Sequence, residues 1–453
     1  MIEILKKEKK SAFLLSNQAL SPSVRYKWSV YVLQHEKDNL QYIYNNLSTH
    51  LYLIEDGDDV VFDRSRTFGY EEIIGTSALK KLAEDFFLVK ADEDEDKLYE
   101  NFISIMVKSE KRKLPKGVYA YTILPTTACN ARCFYCFEQG MKTVTMSEET
   151  INAAINYIMQ TKCDGHIILN WFGGEPLLRA DIIDRFCSEF KKRGVSFKSH
   201  ITTNGSLITP ALAQKIKNDW NTEFVQVSLD GEESEYNRRK AYVNLTGSPY
   251  ELVMRNIGLL LEQGIFVNLR CNIDENNAGT LNTFMNDLDL RFPDKSNLSL
   301  EFVTLYDKHS TPEELELYIK CMDLKETVQK LGFNRKTGEP KFETMVYYCP
   351  AQSFGRAMVI TPDGKLYVCE HCGEGTEIGT VFEGVTNTAM ADKYFAHNPV
   401  SKKCSGCFYL PKCTTFDMCP IKNTSQECRE IKRNYLVRFL NKTIDKYYRE
   451  VGR

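Results

Sequence analysis

The feature that most constrains the fold is an alternation of strand-like and helix-like segments between residues 118 and 330. Short apolar segments predict six β-strands, at 118–124, 165–172, 197–203, 223–229, 265–273 and 298–305. Segments with helical spacing follow most of them, and Pro210 and Pro249 stand where proline is favoured as the first residue of a helix. Repeated βα units predict a parallel sheet with right-handed crossovers, either doubly wound or part of a barrel, with fewer than the eight units of a closed barrel.

Composition excludes several classes of protein. The 453 residues carry a formal net charge of −3, which gives no sign of a basic surface for nucleic acid. No apolar run approaches the roughly 18–20 residues of a membrane span, and the N-terminal segment is charged where a signal peptide needs an apolar stretch. The sequence therefore predicts a cytoplasmic protein whose partners include neither nucleic acid nor a membrane.

The cysteines are clustered. Of the 15, three lie within eight residues at Cys129, Cys133 and Cys136, and eight lie between Cys349 and Cys428. In a reducing compartment, closely spaced thiolates are most simply metal ligands. Three thiolates can bind three irons of a [4Fe–4S] cluster, which leaves the fourth iron without a protein ligand. The alternatives are structural cysteines and a zinc site, although zinc would need a fourth ligand nearby.

Further motifs follow the predicted strands. Gly173-Gly174-Glu175-Pro176 follows the second strand, Thr203-Asn204-Gly205 the third and Ser228-Leu229-Asp230-Gly231 the fourth, while Arg270 and Asn272 close the fifth. Each motif taken alone is more typical of a turn or a structural ion pair. Together they fall at the carboxyl ends of successive strands, where α/β sheets and barrels bind their ligands.

The three-cysteine spacing and the strand-end motifs together resemble the radical S-adenosylmethionine (SAM) superfamily. The resemblance implies that Gly173, Gly174, Glu175 and Pro176 hold the methionine amino group of SAM, and that the backbone of Tyr135 meets the adenine. It places Ser228 near the ribose or carboxylate and adds Asn204, Asp230 and Arg270 as further cofactor-binding candidates. In this family a reduced cluster cleaves SAM to a 5′-deoxyadenosyl radical, which abstracts a hydrogen from the substrate.

The later cysteines resemble the SPASM extension of radical SAM enzymes that modify peptides. That resemblance implies two auxiliary [4Fe–4S] clusters, hence three in all. The outer cluster would be held by Cys404, Cys407, Cys413 and Cys428, and the inner one by Cys349, Cys369 and Cys419. The spacing from Cys413 to Cys419 is longer than usual, and the segment before Cys349 has no cysteine. Either Cys372 completes the inner cluster or that cluster has an open iron; two zinc sites are the alternative for this region.

Glu370 directly follows one of these cysteines. Some relatives place an acidic base at this position, so Glu370 is the candidate catalytic residue. The alternative is a solvated turn residue, and the same two interpretations apply to the neighbouring His371.

The first 115 residues predict a separate α+β unit. Strands are expected at 29–34, 40–46 and 50–56, with a helix at 77–89. The acidic run Asp92–Asp96 is expected to be a solvated linker. The unit weakly resembles the winged-helix element with which maturases of ribosomal peptides bind a leader as an added strand. The predicted domains are therefore 1–115, a radical SAM core at 116–335 with a partial (β/α)6 barrel, a loop-rich SPASM domain at 336–430, and a closing helix at 431–453.

The combined resemblance implies a maturase that installs a cross-link in a precursor peptide, with a cysteine thioether as the first expectation. Its partners would be a precursor with a leader sequence and an external one-electron reductant of the flavodoxin or ferredoxin type. Carbon–carbon or carbon–oxygen links and epimerisation remain open. The alternatives are an anaerobic sulfatase-maturing enzyme and a non-catalytic iron–sulfur scaffold or electron carrier.

Overall fold

The structure is a computed structural model that describes residues 1–5, 19–58, 60–305, 312–333, 351, 353, 355–371, 373–395, 404–413 and 428–452. These residues form two compact units. The first combines the chain up to Glu110 with the described residues from 404 onward, and the second runs from Lys111 to residue 395. These two units do not coincide with the predicted domains, because the last part of the chain belongs to the same unit as residues 1–110.

The first unit has an α+β architecture. Its strands are β1 (Ile2–Leu5), β2 (Tyr26–Trp28), β3 (Val32–Lys37), β4 (Leu40–Asn45), β5 (Leu51–Ile54), β6 (Thr67–Phe68) and β7 (Leu88–Lys90). They form two antiparallel sheets, with the strand orders β1-β5-β4-β3 and β6-β2-β7. The helices are α1 (Tyr70–Gly75), α2 (Ser77–Glu84) and α3 (Glu95–Lys113).

The C-terminal helix (Cys428–Val451) packs in this unit. Leu436, Leu440 and Ile444 are fully buried, and they form one apolar cluster with side chains of β3, β4 and β5. This helix lies where the closing helix was expected, and it starts three residues before residue 431.

The acidic run before α3 is not a solvated linker, which corrects the expectation for Asp92–Asp96. Helix α3 begins within the run at Glu95, whose side chain is buried. The carboxylate accepts hydrogen bonds from the Ser29 hydroxyl at 2.6 Å and from the Val30 N–H at 3.0 Å. Burial raises the pKa of Glu95, and these bonds offset part of that effect.

The second unit contains the predicted parallel sheet. The strands β8 (Ala120–Ile123), β9 (Ile167–Trp171), β10 (Phe197–Thr203), β11 (Thr222–Ser228), β12 (Phe266–Ile273) and β13 (Leu298–Thr304) lie side by side in chain order. Every neighbouring pair is parallel. The partial (β/α)6 core is therefore confirmed, and the carboxyl ends of all six strands lie along one edge of the sheet.

Helices connect these strands: α4 (Glu148–Thr161), α5 (Ala180–Lys192), α6 (Pro210–Asn218), α7 (Glu233–Lys240), α8 (Pro249–Glu262), α9 (Leu281–Arg291) and α10 (Pro312–Lys330). Pro210 and Pro249 begin α6 and α8 as predicted, and the hydroxyls of Thr209 and Ser248 cap those helices. Helix α7 was not predicted, because its sequence ESEYNRRK shows no apolar periodicity.

The sheet continues beyond β8. Strand β14 (Ala357–Ile360) pairs in parallel with β8, and β15 (Lys365–Tyr367), β16 (Gly379–Thr380) and β17 (Gly384–Val385) extend the sheet in antiparallel fashion. Helix α11 (Thr388–Phe395) follows. Among the helices described, none combines the length and the apolar character needed to cross a membrane.

Candidate active site

A loop after β8, residues 129–137 and here called the cysteine loop, carries the first three cysteines. Cys129 and Cys133 are half-buried and Cys136 is exposed. Burial raises the pKa of Cys129 to about 11 and also raises the pKa of Cys136. These two free thiols are therefore protonated at neutral pH, and iron binding would release their protons.

The glycine pair after β9 lies against the backbone that leads into the cysteine loop. Gly174 N–H donates to Thr126 O at 3.2 Å, and Glu175 N–H donates to Ala128 O at 2.8 Å. A Cβ on Gly174 would lie 2.4 Å from Ala128 O, and one on Gly173 would lie 2.5 Å from Thr126 O. Gly173 also has a φ of +110°, a conformation that favours glycine. Glycine is therefore required at both positions, because the two backbone segments approach each other too closely for a Cβ atom.

Glu175 is completely buried, and its carboxylate joins two strand ends. Oε1 accepts from the Thr203 hydroxyl at 2.8 Å and from Leu177 N–H at 3.0 Å, and Oε2 accepts from Asn204 N–H at 2.8 Å. Burial raises the pKa of Glu175, and these hydrogen bonds oppose that rise. The side chain thus holds the turn after β10 against the turn after β9. Pro176 is buried beside it and opens a 3-10 turn, Pro176–Arg179, ahead of α5.

An amide chain connects the cysteine loop to the turn after β10. Asn204 Nδ2 donates to Asn130 Oδ1 at 2.8 Å, and Asn130 Nδ2 donates to the Ser206 hydroxyl at 2.9 Å. The structure therefore brings Asn204 to the cysteine loop, as its strand-end position predicted. Asn130 was not singled out from the sequence, because a lone asparagine in a loop carries no pattern.

Asp230 lies at the centre of a buried polar network. Oδ1 accepts from the backbone N–H of Asn272 at 2.9 Å and from its side-chain amide at 3.0 Å. Oδ2 accepts from the Tyr135 hydroxyl and forms an ion pair with Lys240 Nζ at 3.0 Å. Lys240, a residue that the sequence analysis missed, holds the pKa of Asp230 below its usual range although burial opposes this. A direct contact of Asp230 with a cofactor stays a prediction, and its occupied oxygens favour an indirect role.

Ser228 and Arg270 are partners in the register of β11 and β12. Both are half-buried. Ser228 is the last residue of β11, and Arg270 lies level with it, three residues before the end of β12. Arg270 Nε donates to Asn272 Oδ1 at 3.4 Å. The strand-end placement of these two candidates thus agrees with the expectation, while their contact with a cofactor stays a prediction.

The segment after β15 supplies a further wall to this region. The rings of His371 and Phe137 lie with their centroids 4.3 Å apart, and Phe137 stacks on Phe172 at 6.1 Å. Burial lowers the pKa of His371; the charge of Glu370 opposes this shift, and that of Arg270 adds to it. Glu370 is half-buried in the same segment. The candidate base therefore lies in a segment that reaches the cysteine loop.

The remaining cysteines divide between the two units. Cys404, Cys407, Cys413 and Cys428 lie in the first unit, and Cys369 lies in the second. Burial raises the pKa of Cys428 to about 11, and the other three thiols of its group add to that rise, so the four lie near one another. Cys349, Cys372 and Cys419 fall outside the described residues. The completion of the inner cluster therefore stays a prediction.

The cysteine loop suits an iron–sulfur cube better than a single ion. No group of three or more His, Cys, Asp or Glu side chains in the described ranges converges on one metal ion. A cube makes a different demand, because each thiolate binds a different iron. Three thiols in one short loop, backed by the glycine pair, supply such a donor set.

Comparison with known proteins gives the same assignment. The family model described as "Radical SAM superfamily" matches residues 123–287, which contain the cysteine loop and the strand-end motifs.

Curated relatives match mainly over this region. The chain is 33% identical over 170 residues to a probable GTP 3′,8-cyclase of Methanococcus aeolicus, covering 35% of this chain and 52% of that protein. It is 28% identical over 176 residues to a serine-type anaerobic sulfatase-maturating enzyme of Bacteroides thetaiotaomicron, covering 36% and 41%. The chain thus spans about half, or less, of these relatives. A radical SAM cyclopropyl synthase, TigE of Paramaledivibacter caminithermalis, is 22% identical over 358 residues, covering 70% and 72%.

Two solved structures share the fold. Native anSMEcpe with bound AdoMet and Cp18Cys peptide matches with a TM-score of 0.54 at 17% identity, covering 72% of this chain and 99% of that one. Streptococcus suis SuiB bound to precursor peptide SuiA matches with a TM-score of 0.51 at 13% identity, covering 89% and 99%. Because the family model and the fold agree with the geometry of the strand ends, residues 123–287 of this chain are a radical SAM domain.

Proposed function

We propose that the chain is a radical SAM enzyme that acts on a precursor peptide and installs a cross-link, with a cysteine thioether as the product we favour. The observation that carries this proposal is the extent of the likeness to SuiB bound to its precursor peptide, which covers 89% of this chain. The part of this chain outside the match is 11% of its length, whereas residues 1–110 are about a quarter of the 453 residues. The likeness therefore includes part of the N-terminal region and supports a peptide-binding role for it.

A bound cluster and SAM would supply a radical able to abstract hydrogen from an unactivated carbon. The chain's own residues would hold SAM with the Gly173–Pro176 segment and the strand ends at Asn204, Ser228 and Arg270. Formation of a thioether exchanges one C–H and one S–H bond for a C–S bond. The peptide would lose a hydrogen atom to the 5′-deoxyadenosyl radical, a proton to a base, and one electron, for which an auxiliary cluster is the proposed acceptor. Glu370 is our candidate for the base that accepts the thiol proton, because its segment reaches the cysteine loop through His371 and Phe137.

We also propose two auxiliary clusters. The proximity of Cys404, Cys407, Cys413 and Cys428 supports the outer one.

A second function, sulfatase maturation, is favoured by the 28% identity to the sulfatase-maturating relative. The extended fold likeness to SuiB weighs against it.

The first test is anaerobic iron and sulfide content together with SAM cleavage. Wild type should bind about twelve irons per chain, and the triple variant Cys129→Ala, Cys133→Ala, Cys136→Ala should bind about eight and make no 5′-deoxyadenosine. A fall from about eight to four would mean one auxiliary cluster. A loaded wild type that never cleaves SAM would favour a non-catalytic scaffold.

The second test separates the two substrates by mass spectrometry. Loaded enzyme is incubated with any short cysteine-bearing protein found to be encoded beside its gene and, separately, with a sulfatase peptide. Loss of two hydrogens with loss of a free thiol from the first peptide supports the thioether. Conversion of the cysteine or serine of the sulfatase peptide to formylglycine would replace our proposal with the second function.

The leader-binding part of the proposal has its own test on strand β7, an outer strand of its sheet that packs beside α2. Ala91 N–H donates to Arg25 O at 2.8 Å, so by strand alternation the N–H of Lys90 points to the open side. Lys90→Pro removes that donor, and we expect leader affinity to fall about tenfold in a fluorescence titration. Lys90→Ala, the control, keeps the donor and should bind normally. Equal binding by both variants would place the leader elsewhere.

A further inference from the structure

The carboxyl end of α7 carries two buried cations that no sequence motif marks. Lys240 is 2% exposed and Arg239 is fully buried, although such residues are rarely buried without a partner. Their partners are Asp230 for Lys240, at 3.0 Å, and Asp274 for Arg239, at 2.9 Å.

Lys240 contacts the cysteine loop in two ways. Its Nζ donates to the Tyr135 hydroxyl at 2.8 Å, and its carbonyl accepts the backbone N–H of Arg132 at 2.9 Å. The same carbonyl lies 4.0 Å from Cys133 Sγ. One residue therefore holds the loop by backbone and side chain, and its ammonium group bonds to Tyr135, the residue before Cys136.

Arg239 supports the same loop from beside Lys240. Its guanidinium carbon lies 5.1 Å from the ring centre of Phe134 and 5.3 Å from that of Tyr135. A cation over an aromatic face is attracted by the ring, more strongly where water is excluded. The two aromatic residues between Cys133 and Cys136 are thus fastened to the end of α7.

Stability alone does not account for this arrangement. Replacing a buried ion pair by apolar side chains is often neutral or stabilising, because burial of charge is costly. A charged pair beside a loop built to hold an electron-accepting cluster has a further effect, since a fixed charge changes the energy of adding an electron.

We propose that Asp230 and Lys240 form a charged clasp that positions the cysteine loop, and that each of the two charges shifts the reduction potential of the cluster bound there. The two residues have opposite effects on that potential. The lysine charge stabilises the reduced, more negative cluster, and the aspartate charge destabilises it. The aspartate acts on the loop through Tyr135 and Lys240.

Redox titration of the reconstituted full-length protein, followed by electron paramagnetic resonance, tests the sign of each charge. Lys240→Met should lower the midpoint potential of the cluster in the cysteine loop, and Asp230→Asn should raise it. We expect each shift to change the reduced-to-oxidised ratio about tenfold at a fixed potential, which is about 59 mV for one electron. Asp230→Asn combined with Lys240→Met removes both charges and should return the potential close to that of wild type.

Hydrogen exchange tests the positioning role in the same samples. Peptides covering residues 129–137 should exchange about tenfold faster in Lys240→Met than in wild type, while Lys240→Arg, which keeps the charge, should show a smaller change. Lys295→Met is the control: Lys295 is also buried and paired, with Asp289, but it precedes β13 and so lies at the opposite end of the strands.

The proposal is overturned if the two single variants shift the potential in the same direction or leave it unchanged. It is also overturned if loop exchange responds equally to Lys240→Met and Lys295→Met. Should one single variant fail to load iron, the sign of the shift in the other single variant decides the question. A potential of the double variant far from that of wild type would show that loop geometry, and not the two charges, controls it.

Discussion

Single residues decide how closely the backbone of the site can pack. Gly174 lies where the turn after β9 meets the carbonyls of Thr127 and Ala128, and a Cβ there would lie within 2.5 Å of both. Backbone carbonyls cannot move aside as a flexible side chain would. The glycine is therefore a steric requirement of the cysteine loop, independent of any ligand.

Gly174→Ala should destabilise the second unit by about 1–3 kcal/mol and reduce iron loading, because the added methyl group must push the cysteine loop away. Urea unfolding of the iron-free protein and iron content after reconstitution measure the two effects. Gly165→Ala is the control, since no atom lies within 4 Å of the Cβ that it would add. Normal loading of Gly174→Ala would contradict this steric account.

The two carboxylate oxygens of Glu175 accept three hydrogen bonds. Glu175→Gln replaces one oxygen with an NH2 group that faces a donor, so we expect a loss of about 1–3 kcal/mol in the free energy of unfolding. The same urea experiment measures it, with the exposed Glu149→Gln on α4 as control. An unchanged free energy would mean that the three hydrogen bonds are not structural, and that Glu175 is free to serve a ligand.

At the scale of elements, the end of α7 decides where Lys240 lies. The helix ends at Lys240, and the next residue, Ala241, has the left-handed conformation φ 43°, ψ 58°. This conformation is costly for a residue with a Cβ and easily adopted by glycine. The strain is located where the chain turns to bring Lys240 to the cysteine loop.

Ala241→Gly should therefore raise the free energy of unfolding by about 1 kcal/mol, because glycine removes the strain and the side chain of Ala241 is exposed. Ala153→Gly in the interior of α4 is the matched control and should lower the free energy by about 1 kcal/mol. Urea unfolding measures both. A loss of stability in both variants would show that Ala241 is not strained.

At the scale of the whole molecule, the two ends of the chain share a core. Leu436, Leu440 and Ile444 of the C-terminal helix are buried with Tyr42 and Tyr44 of β4. Deletion of residues 1–110 would therefore also expose an apolar helix face. Point variants such as Lys90→Pro are for this reason a cleaner test of leader binding than truncation.

Leu440→Ala should destabilise the first unit by about 2–5 kcal/mol, because it leaves a cavity at a fully buried position. Hydrogen exchange in β4 and β5 reports this unit separately and should become faster, while exchange in β9 to β11 should not change. Leu290→Ala, at a position that is 81% exposed, should change neither region. Equally faster exchange in both regions would contradict an independent first unit.

The sequence by itself determined the six parallel strands, the three-cysteine loop and the radical SAM domain. Strand length, apolar runs and turn residues are local signals, and the cysteine spacing is a property of a few consecutive residues. Only the tertiary structure decided that Asp230 pairs with Lys240, that Asn130 bonds to Asn204, that Glu95 is buried beneath Ser29, and that the C-terminal helix completes the core of the first unit. None of these contacts joins close neighbours in the sequence, and burial and the need to pair polar groups select partners that no local pattern indicates.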